Sequence, residues 1–427
     1  MAIAEEVILE RPVSSVFAAG RVFYLANTIV YYSQTLEGSS IALLSQCYSK
    51  NDPTAEHVSD LLATDGGTIP INGATKGVSI KEVSGGVVVF CRNGVWSIGG
   101  PSTGFSATEF SVTQISSDGC VSAEAIVQVG DITYYWSEDK IHIIQKNEFG
   151  TLQVTSLIDE SIETLYTSIP LAAKKRSNGF YNKNRSEIEW FYSALTEEAW
   201  PSLVNAHDRS IVLNLKTGGF FLHTFNGLTE ELSLGGATGD MLVGGIDLSR
   251  IRDDSAAFIG ASLSQSGLDT TYKITVGRRD DINFQDFGVN YPTAYVETGY
   301  ETLAKPSNKK VAPYITTHFA KTEQNWVADG SGGFALDLQS GCQMRAKWDW
   351  NDSSTNGRWA PAQQVYRFRR TNIPSGAGAF DSGETVISTK NKMLGRGNAL
   401  SVRFEQEAGK DMQLLGYTVQ WSVKGRM

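Results

Sequence analysis

The side chains that could do chemistry in this sequence are scattered and match no catalytic or metal-binding spacing. Five histidines form no HExxH or related metal pattern; they are His57, His142, His207, His223 and His318. Four cysteines contain no CxxC pair, so we expect buried thiols in a protein made in a reducing cytoplasm; they are Cys47, Cys91, Cys120 and Cys342. His142 lies in the alternating run Ile141–Ile144, which favours a structural histidine on a strand.

Catalytic motifs are also missing from the sequence. It contains no GxSxG or GxxxxGK[ST] pattern, and Gly395-Arg396-Gly397 lacks the third glycine of a dinucleotide fingerprint. The neighbouring carboxylates Asp253-Asp254 and Asp280-Asp281 lie in predicted loops, where a solvated turn is commoner than a glycosidase acid pair. Residues 116–120 match only part of the sialidase SxDxGxTW box. We therefore predict no enzyme, and no catalytic, cofactor-binding or metal-binding residue.

The remaining candidate functional residues are basic side chains, which cluster in the C-terminal part of the sequence. They are Arg367, Arg369, Arg370, Lys390, Lys392 and Arg396. Tyr366 and Phe368 alternate with the first arginines, so the patch could contact nucleic acid. In a strand, however, Arg367 and Arg369 share the face opposite these two rings, as in any amphipathic sheet. We interpret the six residues as candidate contacts with another subunit or with an adaptor protein.

Charge divides the chain into two unequal parts. The formal net charge is −9. Residues 1–289 carry 20 Lys and Arg against 34 Asp and Glu, which gives −14, whereas residues 290–427 carry 17 against 12, which gives +5. This asymmetry predicts two parts with different neighbours, and random variation between two solvated surfaces is the alternative. No apolar run approaches the roughly 20 residues of a membrane span, and residues 1–10 lack the basic start of a secretory signal.

The first two-thirds of the chain repeat one pattern, in which two β-rich runs are joined by a short turn. Five such hairpins lie at 20–34, 86–99, 130–144, 179–193 and 210–225, and a weaker sixth lies at 257–274. Asn93-Gly94 and Gly218-Gly219 predict type I′ turns, and Trp96 should pack into the sheet after the first of them. Because a single hairpin cannot bury its apolar face, we predict an all-β, propeller-like domain of five to six blades over residues 1–289, with a sandwich as the alternative.

Two short helices and a second domain complete the predicted architecture. Asp52-Pro53 is typical of a helix start and predicts an inserted, helix-containing loop at about 50–75. A second helix is predicted over Ile158–Ser168, ended by Pro170. Residues 290–427 predict a separate antiparallel β domain, most simply a sandwich, because runs such as Leu400–Glu405 alternate apolar and polar residues.

Two stretches of the chain resemble one protein family. The first, residues 52–144, contains DPTAEHVSDLLATDGG, GGVVVFCRNGVWSIGG, GFSATEFSVTQISSDGC and GDITYYWSEDKIHII, and is similar to the propeller region of podovirus tail nozzle proteins, also called tail tubular protein B. The second, TKNKMLGRGNALSVRFEQEAGKDMQLLGYTVQW at 389–421, resembles the C-terminal signature of phage tail and head-stabilisation proteins. Together these stretches cover roughly a third of the chain.

This resemblance implies a structural virion protein without cofactors, assembled in the host cytoplasm and located in the phage tail. Its copies would form a homo-hexameric ring at the distal end of a short tail, against the tail adaptor ring, with tail fibres as a further partner. The ring would conduct and gate double-stranded DNA without binding it specifically, and a net negative chain suits such a lumen because each retained phosphate contact would raise affinity. Two alternatives stay open, a free propeller that binds protein or carbohydrate and a phage polysaccharide-degrading enzyme.

Overall fold

The structure is a computed structural model of the 427-residue chain. It describes residues 11–35, 62–100, 105–183, 185–193, 207, 209–224, 241–247, 256–266, 269–277, 279–280, 285–286, 289–290, 293–303, 306–322, 326–328, 334–336, 340–349, 359–366, 385–407 and 410–423. In 241–290, 326–328 and 334–336 only the backbone is described. Two compact units divide the chain, one of Met1–Thr224 with Leu228–Val276 and the other of Phe225–Gly227 with Gly277–Met427. The sequence pattern placed this boundary later, at 289/290.

The first unit is built from consecutive antiparallel sheets, each with its strands in chain order. Sheet one contains β1 (Ser14–Ala18), β2 (Arg21–Ala26), β3 (Ile29–Tyr32) and β4 (Gly67–Pro70). Sheet two contains β5 (Gly77–Val83), β6 (Gly86–Cys91), β7 (Gly94–Gly99) and β8 (Ser111–Ser116). Sheet three contains β9 (Val127–Val129), β10 (Ile132–Trp136), β11 (Ile141–Lys146) and β12 (Leu152–Ser156). The predicted all-β fold class is confirmed.

Two short helices follow sheet three, α1 (Glu163–Ser168) and α2 (Leu171–Lys174). Sheet four contains β13 (Asn178–Asn182), β14 (Glu187–Tyr192), β15 (Arg209–Asn214) and β16 (Phe220–Thr224). Sheet five has three strands, β17 (Met241–Asp247), β18 (Ala256–Ser266) and β19 (Asp269–Gly277). The weak sixth hairpin of the sequence therefore forms β18 and β19.

Apolar side chains hold consecutive sheets together face to face. On β6, Val87 and Val89 pack with the core of sheet one, whereas Val88 and Phe90 pack with that of sheet three. Both faces of this strand are therefore buried, which explains its unbroken apolar run, because successive side chains of a strand point to opposite faces. Trp96 of β7 is buried in the core shared with sheet one, as predicted.

Sheets three and four share the largest core of the first unit. Trp136 and Trp190 lie there with 6.1 Å between their ring centroids, and Trp190 Nε1 donates to the Ala125 carbonyl at 2.9 Å. Tyr166 of α1 closes the same core and donates to the Ser137 carbonyl at 2.6 Å. The helix is shorter than the predicted 158–168.

The predicted division of the hairpins into separate repeats needs one correction. The hairpins at 179–193 and 210–225 were predicted as separate repeats, but both belong to sheet four, because β14 pairs with β15 along its whole length. The five predicted hairpins therefore lie in four sheets of four strands each. The three-stranded sheet five is the fifth sheet of the first unit. Of the predicted insertion at 50–75, residues 51–61 lie outside the described residues, and Gly67–Pro70 form strand β4 of sheet one.

The tight turns also differ from the prediction. Cys91 pairs with Gly94, so the two-residue turn is Arg92-Asn93, and neither residue has the positive φ of a type I′ turn. At 215–218 a four-residue loop ends on Gly218 with φ 69°. Type I′ backbone instead occurs at two unpredicted places, Ala19-Gly20 (φ 48° and 71°) and Ser84-Gly85 (φ 52° and 81°).

The second unit contains a β-sandwich. Its strands are β20 (Arg279–Asp280), β21 (Gln285–Asp286), β22 (Val289–Asn290), β23 (Tyr295–Glu297), β24 (Lys310–Ala320), β25 (Trp326–Ala328), β26 (Phe334–Leu336), β27 (Cys342–Trp348), β28 (Gln363–Gln364), β29 (Val386–Lys392), β30 (Arg396–Gly397), β31 (Leu400–Gln406) and β32 (Leu414–Val423). One sheet, the β31 sheet, has the order β23-β31-β27-β28. In the other, the β24 sheet, β24 pairs with β29 and β30 on one side and β32 on the other.

The two sheets enclose one apolar core. Ile315 and Phe319 from β24 meet Met344 from β27 and Val402 and Phe404 from β31. The alternation predicted for Leu400–Glu405 is confirmed, since its apolar members are all buried. Arg403 and Glu405 lie half-buried on the outer face, and Ser401 on the same face is buried and donates to the Thr298 carbonyl.

Candidate functional site

Three basic residues from the predicted set lie together on the outer face of the β24 sheet. Lys390 pairs with Thr316 and Lys392 with Tyr314 across β29 and β24, and Arg396 of β30 pairs with Val311. Because paired residues share a face and Ile315 and Ala312 point into the core, all three cations point outward. All three are exposed. We call Lys390, Lys392 and Arg396 with the strand surface around them the basic face.

No carboxylate lies on the strands of the basic face. The sequences of β24, β29, β30 and β32 contain no Asp or Glu. Within the described part of the chain, none of Lys390, Lys392 and Arg396 forms a salt bridge. Lys390 instead lies over the Tyr314 ring, with Nζ 4.4 Å from its centroid. Within the described residues, the face therefore carries three cations on paired strands that no salt bridge neutralises.

The outer face of the β31 sheet provides the contrast. There, Arg345 and Arg403 contact the two carboxylate oxygens of Glu405 at 3.3 and 2.9 Å. Lys347 is buried 3.9 Å from Glu297, with Nζ 4.7 Å from the centroid of the Trp359 ring. Each of these three cations thus contacts a carboxylate of its own unit, whereas Lys390, Lys392 and Arg396 form no such pair within the described residues.

Buried polar contacts fix the strands that carry the basic face. Thr317 and Thr389 join β24 to β29 through their hydroxyls at 2.9 Å, and Asn391 donates to Thr389 Oγ1 at 3.0 Å. Asn391 is buried between the exposed Lys390 and Lys392, so its contacts hold the backbone on which both lysines stand.

On either side of Arg396, a glycine backbone lies close to another side chain. A side chain at Gly395 (φ 113°) would meet Trp348 Nε1 at 2.3 Å, and one at Gly397 would meet Asp349 Oδ1 at 2.6 Å. Asp349 in turn accepts from the Asn398 amide at 2.6 Å. The two glycines of Gly395-Arg396-Gly397 therefore have a structural role beside Trp348, which the sequence motif alone did not indicate.

The remaining predicted contact residues are not described. Arg367, Arg369 and Arg370 lie outside the described residues, as do Asp253, Asp254 and Asp281. Of the run in which Arg367 and Arg369 would share a strand face, only Val365 and Tyr366 are described, and both follow the end of β28 at Gln364. Tyr366 is buried, with its ring centroid 5.3 Å from that of Phe319.

An acidic surface that the sequence did not indicate lies at one end of sheet three. It comprises Asp118, Glu138, Asp139, Asp159, Glu160 and Glu163, all exposed. We call these six residues the acidic cap. Lys140 sits among them and contacts Asp159 Oδ1 at 3.0 Å; this hydrogen bond and the nearby carboxylates raise the pKa of Lys140. The cap arises from three separate segments, which is why no sequence motif marks it.

One cluster beside the acidic cap contains the residue types of a serine hydrolase. His142 Nε2 lies 3.2 Å from Ser137 Oγ and 3.3 Å from Asp118 Oδ2. A catalytic triad needs the serine and the carboxylate on opposite ring nitrogens. Here both contact the same nitrogen, and Ser137 Oγ also accepts from the Lys140 amide at 2.9 Å. The cluster therefore lacks triad geometry and serves to close the β10–β11 turn.

The buried position of His142 agrees with the structural role predicted for it. The ring stacks on Tyr135 with 5.0 Å between centroids. Burial lowers the pKa of His142, although the Asp118 carboxylate acts in the opposite direction. The imidazole is therefore neutral at pH 7 and acts as a packing group.

The described cysteines are buried free thiols, as predicted. Burial raises the pKa of Cys91, Cys120 and Cys342 to about 12, so the nucleophilic thiolate is scarce at neutral pH. Cys47 lies outside the described residues. Among the residues that are described, no group of three or more His, Cys, Asp or Glu side chains could hold a metal ion.

Comparisons with known proteins give no identification. No family model and no curated protein matches the chain. Solved structures to which it is similar include an extracellular domain assigned to a one-component system of B. thetaiotaomicron, at 8% identity over 82% of this chain and 46% of that one, with a TM-score of 0.28. Another is PorZ, a surface component of the type-IX secretion system of Porphyromonas gingivalis, at 11% identity over 62% of this chain and 33% of that one, with a TM-score of 0.24. The chain spans less than half of either protein, and at these TM-scores neither likeness supports a conclusion.

The helices of the described residues are too short to cross a membrane.

Proposed function

We propose that this chain is a structural virion protein, six copies of which form the nozzle ring at the distal end of a short phage tail. The ring would abut the tail adaptor and conduct and gate double-stranded DNA during ejection. Two sequence resemblances to podovirus tail nozzle proteins, at 52–144 and 389–421, motivate the proposal. The antiparallel sheets of the first unit and the sandwich of the second are compatible with it.

The observation that carries the proposal is the basic face. A rigid sheet face with three exposed cations and no carboxylate on its strands suits recognition of another protein surface. All three of its cations, Lys390, Lys392 and Arg396, lie within the C-terminal stretch that resembles phage tail proteins. Residues of the stretch that resembles phage tail proteins therefore form a surface that is suited to assembly.

Exposed apolar side chains on outer strands add support. Phe221 and Leu222 of β16 are 50% and 42% exposed, and Val112 of β8 is 36% exposed. Outer strands carry unpaired backbone groups that soluble proteins usually protect with charge. In a ring, contacts with neighbouring copies would cover such strands and their apolar side chains.

The enzyme alternative has less support from the geometry. Ser137, His142 and Asp118 are the residue types of a hydrolase, but the histidine cannot relay a proton between the other two when both contact Nε2. We therefore expect purified protein to leave host capsule and lipopolysaccharide intact. Clear depolymerisation by the purified chain would favour the enzyme.

The location of the protein in a phage particle tests the proposal. Particles that carry an epitope-tagged copy of the chain should bind gold-labelled antibody at the distal end of the tail. Particles made without the chain should package DNA but lose it through an open tail. Label on the capsid, or on free protein only, would contradict the proposal.

A further inference from the structure

Two surfaces of opposite charge lie on this one chain. Lys140 and Lys174 offset only part of the charge of the acidic cap. Within the described residues, Glu138, Asp139, Glu160 and Glu163 of the acidic cap form no salt bridge. Lys390, Lys392 and Arg396 of the basic face likewise form no salt bridge within the described residues. The charge of the whole chain follows this split, with −14 over residues 1–289 and +5 over residues 290–427.

Rigid backbone supports both surfaces. The basic face stands on β24 and β29, which Thr317, Thr389 and Asn391 join through buried hydrogen bonds. Glu138 and Asp139 of the acidic cap lie in the β10–β11 turn. Tyr166 of α1 holds this turn by donating a hydrogen bond to the Ser137 carbonyl. Because these contacts hold the backbone, binding would order the charged side chains and little of the main chain, which favours recognition.

We propose that the basic face of one copy docks on the acidic cap of a second copy of this chain. The inference rests on the proposed ring and adds to it which two surfaces meet. Charge complementarity selects a second copy as the occupant, because both halves of the contact lie on the same sequence. A nucleic acid on the basic face would leave the acidic cap without a partner.

Head-to-tail geometry follows from the use of two different patches. Such a contact is heterologous, so each copy offers one free basic face and one free acidic cap to the next copy, and the chain of contacts closes into a ring or extends as a filament. Because exposed charges attract through water, the contact should weaken as salt rises.

Charge exchange between the two surfaces tests the docking. The face-reversed variant is Lys390→Glu with Lys392→Glu, the cap-reversed variant is Glu160→Lys with Glu163→Lys, and the swapped chain carries all four changes. A control, Lys183→Glu with Lys216→Glu, makes the same charge change on exposed loops of sheet four. Circular dichroism and melting curves establish that each variant is folded.

Self-association is measured by sedimentation at low salt and by zero-length carbodiimide cross-linking of mixed 14N and 15N chains. We expect each reversed variant to associate about tenfold or more weakly than wild type, and the control to match wild type. The swapped chain, and an equimolar mixture of the two reversed variants, should regain association. In wild type, cross-links should join Lys390 or Lys392 of one isotope to cap carboxylates of the other.

Several results would overturn the docking. One is that the reversed variants associate as strongly as wild type. Another is that the swapped chain regains association and the mixture does not, because that result would locate the contact within one chain. Loss of binding to a duplex DNA probe without a change in self-association would assign the basic face to nucleic acid. Rescue in the mixture together with a ring that is not sixfold would refute the nozzle and leave the docking intact. A sixfold ring without rescue would refute the docking alone.

Discussion

Arg21 provides the strongest stability test of the first unit, because a complete guanidinium is buried in sheet one. The residue is 1% exposed and lies beside the packed rings of Tyr32 and Phe105, with its Cζ 5.6 Å from each ring centroid. Its nitrogens donate to three backbone carbonyls, those of Ser33, Ala63 and Asp65. Burial lowers the pKa of Arg21, with Tyr32 and Asp65 acting in the opposite direction. The side chain thereby ties residues 63–65, which lead into β4, to the start of β2.

Replacement of Arg21 by Met keeps an unbranched apolar stem that ends near the position of Nε, and it removes all three hydrogen bonds. Charge-assisted hydrogen bonds contribute roughly 1.5–3 kcal/mol each. Part of that sum is offset because the guanidinium no longer has to be desolvated, which leaves a net loss of about 3–5 kcal/mol. For a unit of this size, the loss should lower the melting temperature by roughly 6–15 °C. The melting temperature of Arg21→Lys should lie between those of wild type and Arg21→Met, since one ammonium group cannot match the planar guanidinium of arginine.

Differential scanning calorimetry of the variants measures this loss. The matched control is Arg11→Met, at an exposed position before β1, which should change stability by less than about 0.5 kcal/mol. If Arg21→Met melts together with Arg11→Met, the guanidinium is not buried as described, and the packing of residues 63–65 on sheet one is wrong.

Three further changes test other parts of the fold. Trp96→Ala should cost about 3–5 kcal/mol in urea titrations, because Trp96 is 4% exposed; a wild-type midpoint would show that the β6–β7 register is wrong. Gly179→Ala should cost about 1–3 kcal/mol in the same assay, since its Cβ would stand 2.4 Å from Trp190 Cδ1; an unchanged midpoint would contradict that close approach. Burial lowers the pKa of His207 to about 4, so unfolded chains bind the proton first and stability should fall by about 2 kcal/mol between pH 7 and pH 5. His207→Gln should flatten that pH dependence relative to His318→Gln, and equal slopes in the two variants would refute the assignment.

Local patterns in the sequence were sufficient to predict most strands. A strand with one buried face alternates with period two, so the alternation predicted at 400–405 matches β31. Hairpins were found for the same reason, since a turn and its two flanking runs are neighbours in the chain.

Pairing between distant segments could not be predicted in this way. The two hairpins of sheet four are joined by β14 and β15, whose pairing leaves no periodic signal in the residues between them. The turn at Arg92-Asn93 was misplaced by one residue, because Asn93-Gly94 is a strong turn signal and the strand pairing of Cys91 with Gly94 overrode it. Similarly, the burial of Arg21 depends on carbonyls of residues 63–65, more than 40 positions away.

The candidate site was predicted in part. The sequence named Lys390 and Lys392 as candidate contacts but predicted no strand for them; because they are two residues apart, β29 places them on one face. Arg396 joins them only because β30 returns along β24. The acidic cap escaped prediction because its carboxylates come from a turn, a strand end and a helix start that only tertiary packing brings together.

The symmetry of the assembled particle tests the central claim most directly. Cryo-electron microscopy of tail particles that contain the chain should resolve a ring of six copies at the distal end of the tail, with the all-β units of this structure fitting the density. A ring with another symmetry, or a tail end built without this chain, would contradict the nozzle assignment.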